Sequence, residues 1–266
     1  MAQPENPGPL PPRFRTPRPI SFSFCLLVAV FFVYSVGSVN FSAAQFLSGM
    51  LHIVRILGEM FPPDLLRLNR VAASILETFQ MALVGTVVGI PFSFLLATLA
   101  SRTHTPSRYV YSISRVLISF FRTVPDLVWA LLFVVAVGLG PFAGTLAIAV
   151  DTIGFCGRFF AEAMEETNPG PQEALRALGA SRTAVVFCAV VPAALPSFVN
   201  SALFSLEKAT RSSVILGLVG AGGIGIELKV AMDMFHYSQA ATAVLAIFAL
   251  VIVVEQASSA IRRRVI

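Results

Sequence analysis

Apolar runs of about twenty residues recur along this chain, and each matches the ~30 Å hydrocarbon core of a bilayer when wound as a helix. Inside lipid no water pairs the backbone N–H and C=O groups, so only helices and closed barrels can span it. The runs are continuous rather than alternating, which selects helices. Composition agrees. Of 266 residues, 56% are hydrophobic and 12% charged, about half the ~25% charged share of soluble domains. The sequence therefore specifies an all-α integral membrane protein.

Six spans are expected, over residues 21–39, 71–100, 110–137, 142–163, 192–217 and 239–260. Residues 41–61 are weaker, because His52, Arg55 and Glu59 interrupt their apolar positions at helical spacing. They predict an outer helix lying in the membrane interface, closed by Pro62-Pro63-Asp64. Residues 1–20, rich in Pro and holding Arg13, Arg15 and Arg18, read as a disordered tail. The run from Ser21 to Val39 is longer than the roughly 7–15 apolar residues of a signal peptide. It also lacks a small-x-small cleavage site, so a retained first span is expected. The segment 71–100 would extend ~45 Å as a helix and must tilt, kink near Pro91 or protrude. Gly85 and Gly89 within it form a GxxxG pair that permits close helix contact. The chain thus divides into a tail (1–20), a first span with the outer helix (21–69), and a core (70–266).

Orientation follows from the placement of Lys and Arg. With the N-terminus inside, the inner segments hold ten: Arg13, Arg15, Arg18, Arg102, Arg108, Arg176, Arg182, Arg262, Arg263 and Arg264. The outer segments hold four: Arg55, Arg67, Arg70 and Lys229. Both termini are expected to be cytoplasmic, and so is the loop 165–191. That loop contains a polar island, Glu173-Ala174-Leu175-Arg176-Ala177-Leu178-Gly179, followed by Val191-Pro192. The pattern predicts a short amphipathic helix, a Gly stop and a second helix opened by Pro192. Such a knob lies in water, where another protein can grip it.

Several chemistries are excluded. The two lysines, Lys208 and Lys229, do not follow Gly in a GxxxxGK[ST] loop, so the chain builds no P-loop. Any ATP it depends on is bound elsewhere. No nucleophile–base set or zinc-spaced His/Cys set is evident, and no catalytic or metal residues are expected. Cys25, Cys156 and Cys188 read as reduced, buried small hydrophobes. The net charge of +5 reflects topology rather than nucleic-acid binding, since no basic stripe is interleaved with aromatics. Gly220-Ala221-Gly222-Gly223-Ile224-Gly225 matches GxGxxG by letter, but a dinucleotide site needs a strand before it. The segment reads instead as a re-entrant turn or outer gate formed by Gly220, Ala221, Gly222 and Gly223, or as a plain flexible turn.

Charges within spans are costly and usually face a cavity or a partner. Arg122 and Asp126 flank Pro125, which breaks the helix, and Glu207, Lys208 and Arg211 cluster in the fifth span, followed by Ser212 and Ser213. Glu207 and Arg211 share one helical face. Arg122, Asp126, Glu207, Arg211, Ser212 and Ser213 are the candidate translocation path; structural ion pairing is the alternative. Glu77, Asp151 and Arg158 are further intramembrane charges.

The island resembles the cytoplasmic loop of binding-protein-dependent ABC importer permeases. That pattern runs Glu-Ala-Ala, three residues, Gly, nine residues, Ile-x-Leu-Pro. Glu173, Ala174, Gly179 and Pro192 fall in register, while Leu175, Ala189 and Val191 depart from it with apolar residues. Residues 122–133, 138–144 and 214–225 are similar to the permeases of phosphonate importers, and the resemblance covers roughly 70–262. It implies a methionine-importer-like core of six transmembrane helices in the cytoplasmic membrane of a bacterium. It further implies a homodimer, two cytoplasmic ATPase subunits that bind ATP and Mg, and an extracytoplasmic phosphonate-binding protein. On this resemblance Glu173, Ala174, Arg176, Gly179, Ala180 and Ser181 would couple to the ATPase. The cargo would be phosphonate or a related oxyanion such as phosphate or phosphite. A methionine-type permease, a self-contained secondary transporter and a membrane assembly factor are the alternatives. The secondary transporter class commonly shows inverted repeats, and none is visible between the halves.

Overall fold

A computed structural model of the chain describes residues 19–39, 42–102, 105 and 107–265. The tail arginines Arg13, Arg15 and Arg18 lie outside the described residues. Among the described residues all regular structure is helical: α1 (Pro19–Ser38), α2 (Ala43–Glu59), α3 (Leu68–Ala100), α4 (Arg108–Thr123), α5 (Asp126–Val137), α6 (Pro141–Glu165), α7 (Pro169–Ala177), α8 (Arg182–Val185), a π turn (Val186–Val190), α9 (Val191–Leu218), α10 (Ile224–Asp233) and α11 (Tyr237–Val265). Five helical segments are long and apolar enough to cross a membrane, and α4 with α5 makes a sixth if the bent pair is one span. The chain divides into two units, residues 1–56 and 57–266. In the first, α1 is apolar over its whole circumference, as a lipid-facing span requires. α2 is helical over the segment 41–61 where a helix is expected, with bounds two residues tighter at each end.

In the second unit α3, α6 and α9 form the centre, and small residues set their spacing. A Cβ added at Gly89 would fall 2.7 Å from Thr152 Cβ and 2.8 Å from the Ala149 carbonyl oxygen. At Gly85 it would fall 2.8 Å from Ile148 Cβ and 2.9 Å from the Thr145 oxygen. The GxxxG pair is therefore the seat of α6 on α3, where backbones approach without intervening side chains. Two apolar clusters stack along this axis. One holds Ala97, Ile118, Cys156, Phe160, Met164 and Phe198, and the other Met81, Ala82, Ala147, Ile148, Ala209 and Leu216. α3 runs through Pro91 without a break.

Three expectations are corrected, and one is sharpened: the break at Pro125 within the segment 110–137 is an 86° bend between α4 and α5. Pro125 cannot continue the α4 ladder, and the residue before a proline is pushed out of the helical region. Val124 accordingly has φ −75° and ψ 121°. The helix after the island does not open at Pro192 but at Arg182, where the Ser181 hydroxyl accepts a hydrogen bond from Ala184 N at 3.3 Å. Pro192 instead follows the π turn, whose wider winding accommodates the missing N–H. Beyond the glycine turn an unpredicted helix, α10, packs Ile224 against Val71 and Ala243. Finally, Cys156 is buried, but Cys25 and Cys188 are exposed free thiols. An apolar sequence neighbourhood can signify lipid contact as well as core.

Candidate functional site

Three groups of predicted residues have distinct settings. The first is the island. Asn168 caps α7, its side chain accepting from Gly170 N at 2.9 Å, and Pro169 occupies the first helical position. The helix ends as a Schellman motif: Gly179 N donates to the Arg176 oxygen and Ala180 N to the Leu175 oxygen, both at 3.0 Å. This closure places Gly179 at φ +83°, a conformation an L side chain resists. Glu173, Ala174, Arg176, Gly179 and Ser181 are exposed and Ala180 is half-buried. Leu178, part of the island but not singled out among its coupling candidates, is 84% exposed at the tip. Its signal was an apolar residue directly before the Gly stop. Gln172 anchors the other side, buried and donating to Thr167 Oγ1 at 2.9 Å.

The second group is the intramembrane charges. Glu207 is 7% exposed, and its carboxylate accepts from Arg262 Nη2 of α11 rather than from Arg211 on its own helix. Asp151 of α6 and Lys208 of α9 form a further pair, with Nζ 2.7 Å from Oδ1 and 2.9 Å from Oδ2. Asp126 opens α5 at the bend. The backbone of Arg122 packs on Gly154, one turn along α6 from Asp151. Arg211 lies one turn beyond Lys208 on α9. Arg122 and Arg211 are exposed and make no ion pair among the described residues. Ser212 is half-buried, while Ser213 is fully buried and donates to the Thr210 oxygen at 2.8 Å. The α4–α5 bend, α6 and α9 thus gather Arg122, Asp126, Asp151, Lys208 and Arg211 into one region.

The third group is the glycine turn, and it faces inward. Ala221 is fully buried, and a Cβ on Gly222 (φ +94°) would fall 2.7 Å from Pro141 Cα. Glu77 and Thr78 of α3 hold the turn: Gly223 N donates to Glu77 Oε1 at 2.9 Å and Ile224 N to Thr78 Oγ1 at 2.8 Å. These are the first free N–H groups of α10, capped from another helix, and the acid sits at the positive end of the helix dipole. Thr78→Val removes one acceptor and leaves a buried N–H unpaired. A loss of about 1–3 kcal/mol is expected, read as a lower thermal midpoint of the purified protein, whereas Glu77→Gln keeps an acceptor and should lose less.

Near the opposite end of α3, Arg115 bridges α4 to the core. Its Nε donates to the Ala100 oxygen at 2.9 Å, and its Nη2 lies 3.0 Å from Glu165 Oε1. Arg102 donates to Tyr111 Oη at 2.9 Å, which raises the pKa of its guanidinium.

Comparison with known proteins adds an independent line. The family described as "Binding-protein-dependent transport system inner membrane component" matches residues 89–266. The chain is 36% identical over 221 residues to the phosphite transport system permease protein PtxC of Stutzerimonas stutzeri, covering 83% of this chain and 80% of that protein. It is 38% identical over 231 residues to the phosphate-import permease protein PhnE of Mycolicibacterium smegmatis, covering 87% of this chain and 43% of that longer protein. A solved structure of the MetNI methionine ABC transporter in an inward-facing conformation superposes with a TM-score of 0.63 at 28% identity, over 78% of this chain and 100% of that one.

Proposed function

We propose that this chain, which belongs to the family of binding-protein-dependent transport system inner membrane components, is the permease subunit of an ATP-driven importer of a phosphorus oxyanion. The observation that carries the substrate class is the similarity to phosphite and phosphate permeases at 36% and 38% identity, above that to the methionine importer structure at 28%. The unpaired Arg122 and Arg211 agree with it, since guanidinium and hydroxyl groups suit an oxyanion. The partners in this reading are a second copy of the chain, two cytoplasmic ATPase subunits holding ATP and Mg, and an extracytoplasmic binding protein that delivers phosphonate, phosphite or phosphate. The chain sits in the cytoplasmic membrane of a bacterium with both termini inside, as the ten-to-four arginine and lysine asymmetry favours. It has no hydrolytic role of its own. The glycine turn is the outer gate, and opening it must break the bonds from Gly223 and Ile224 to Glu77 and Thr78.

The test is uptake into proteoliposomes holding the permease, its ATPase and its binding protein. Uptake of phosphite, phosphate or methylphosphonate should require internal or external ATP on the ATPase side and survive collapse of ion gradients. Uptake that persists without the ATPase but stops with the gradients would establish the secondary-transporter alternative.

Docking of the island gives a second test. An exposed leucine at the tip of a polar helix is an anchor for a pocket on the ATPase. Leu178→Asp is expected to weaken that docking by about 2 kcal/mol, or roughly thirtyfold. Insertion should be unchanged, while co-purification of the ATPase and uptake fall together. Native uptake in this variant would remove Leu178 from the interface.

A further inference from the structure

We propose that Lys208 is the cation that a permeating oxyanion meets inside the membrane, and that Asp151 is its placeholder, holding the ammonium until the anion displaces it. The inference rests on the reading of this chain as an oxyanion permease. Asp151 accepts from Nζ with both oxygens, at 2.7 and 2.9 Å. An ammonium has three donors, so the doubly bonded carboxylate resembles the arrangement a phosphoryl group would make with two of its oxygens. Phe155 steadies the cation from the side, its ring centroid 5.4 Å from Nζ.

The two members are not equally enclosed. The Lys208 side chain is 35% exposed and that of Asp151 15%, so the pair is open on the ammonium side. An ion pair placed only to hold α6 on α9 has little advantage over apolar side chains of similar volume, and Ser205 and Thr152 already bond these helices at 3.3 Å. The residue type also fits exchange. The chain has 19 Lys and Arg, and Lys208 and Lys229 are its lysines. A lysine is a compact charge with rotatable donors that can pass between acceptors, whereas an arginine fork is built for a fixed bidentate partner.

The surroundings supply a reason for the anion to come and a reason for it to leave. Arg122, Lys208 and Arg211 against Asp126 and Asp151 give three positive and two negative formal charges, a surplus of one. That surplus favours an arriving anion. Displacement leaves the Asp151 side chain, 15% exposed, without its cation. The cost of that unpaired, largely enclosed carboxylate drives Asp151 back to Lys208 once the anion moves on, which keeps occupancy weak and transient. Asp151 is therefore a positioning residue, and Lys208 the group that touches the cargo.

The scarcity of lysine makes the test clean. Reductive methylation of the assembled permease–ATPase complex, read by mass spectrometry, reports Lys208 with Lys229 as internal control. Lys208 should be labelled, and saturating phosphate, phosphite or methylphosphonate should slow its labelling about tenfold, the ratio expected for one charge-assisted bond of roughly 1.5 kcal/mol, with Lys229 unchanged. Asp151→Asn should speed labelling of Lys208 in the absence of anion. Equal rates with and without each of these anions, and with sulfate, would overturn the assignment of Lys208. Failure of the native complex to take up any of the three phosphorus probes would instead overturn the substrate reading, while protection by sulfate would still uphold Lys208. The double variant Asp151→Asn with Lys208→Gln leaves no unpaired charge, so a purely structural pair predicts native uptake in it. A drop of about tenfold or more supports the proposal, and native uptake sinks it. Should the double variant fail to assemble, labelling of the native complex decides.

Discussion

Arg262→Ala is expected to destabilise the folded protein by about 3–5 kcal/mol. Glu207 lies in the middle of α9, 7% exposed, and Arg262 from the far end of α11 is its ion-pair partner. Removing the guanidinium leaves a carboxylate enclosed by protein without compensation, and burying an unpaired charge costs far more than the pair contributes when intact. The yield of folded permease in detergent and its thermal midpoint should both fall. Glu207→Gln in the same background removes the charge and should restore most of the loss. A native midpoint for Arg262→Ala alone would show that solvent reaches Glu207 and that the pair does not hold α11 to α9. Rescue by Glu207→Gln also separates this structural role from a role in transport, because a path residue would lose uptake in the rescued protein.

Gly89→Leu should be at least as damaging. A Cβ at that position already falls within 2.8 Å of Thr152 and of the Ala149 oxygen, and a leucine adds three more carbons to a space with none to spare. Overpacking a core commonly costs about 1–3 kcal/mol. Here the obstacle is the backbone and Cβ of a neighbouring helix, so the only relief is separation of α3 from α6. Lost assembly is expected, visible as aggregation on size-exclusion chromatography and failure to retain the ATPase. Gly37→Leu is the control, since a Cβ there meets nothing within 4 Å and apolar bulk suits α1. If Gly89→Leu assembles as well as Gly37→Leu, the GxxxG pair is not the seat of the α3–α6 contact.

Some elements were plain in the sequence because the physics that dictates them is local. A twenty-residue apolar run must be a helix in lipid whatever surrounds it, so α1, α3, α6, α9 and α11 appear where expected. Pro125 removes an N–H and restricts Val124, so a break at that point was legible, though the 86° turn was not. Gly179 marked the end of α7 for the same reason, and its positive φ follows from the helix closure itself.

Pairings across helices were not legible. Glu207 and Arg211 are four residues apart and share a face, yet Glu207 bonds to a residue 55 positions away. Spacing along one helix reports which charges are neighbours, not which neighbour a second helix brings closer. The same limit hid the Asp151–Lys208 pair, separated by 57 positions, and the capping of α10 by Glu77 and Thr78 from 146 positions away. It also concealed that the glycine-rich turn packs into the chain's own helices. The sequence by itself determined which segments enter the membrane, where their helices end and which of them carry charge, because desolvation and backbone geometry act within a few residues. The tertiary structure alone decided which charges are neutralised and which remain free, because in a low-dielectric interior that depends on distances between helices that the chain brings together only by folding.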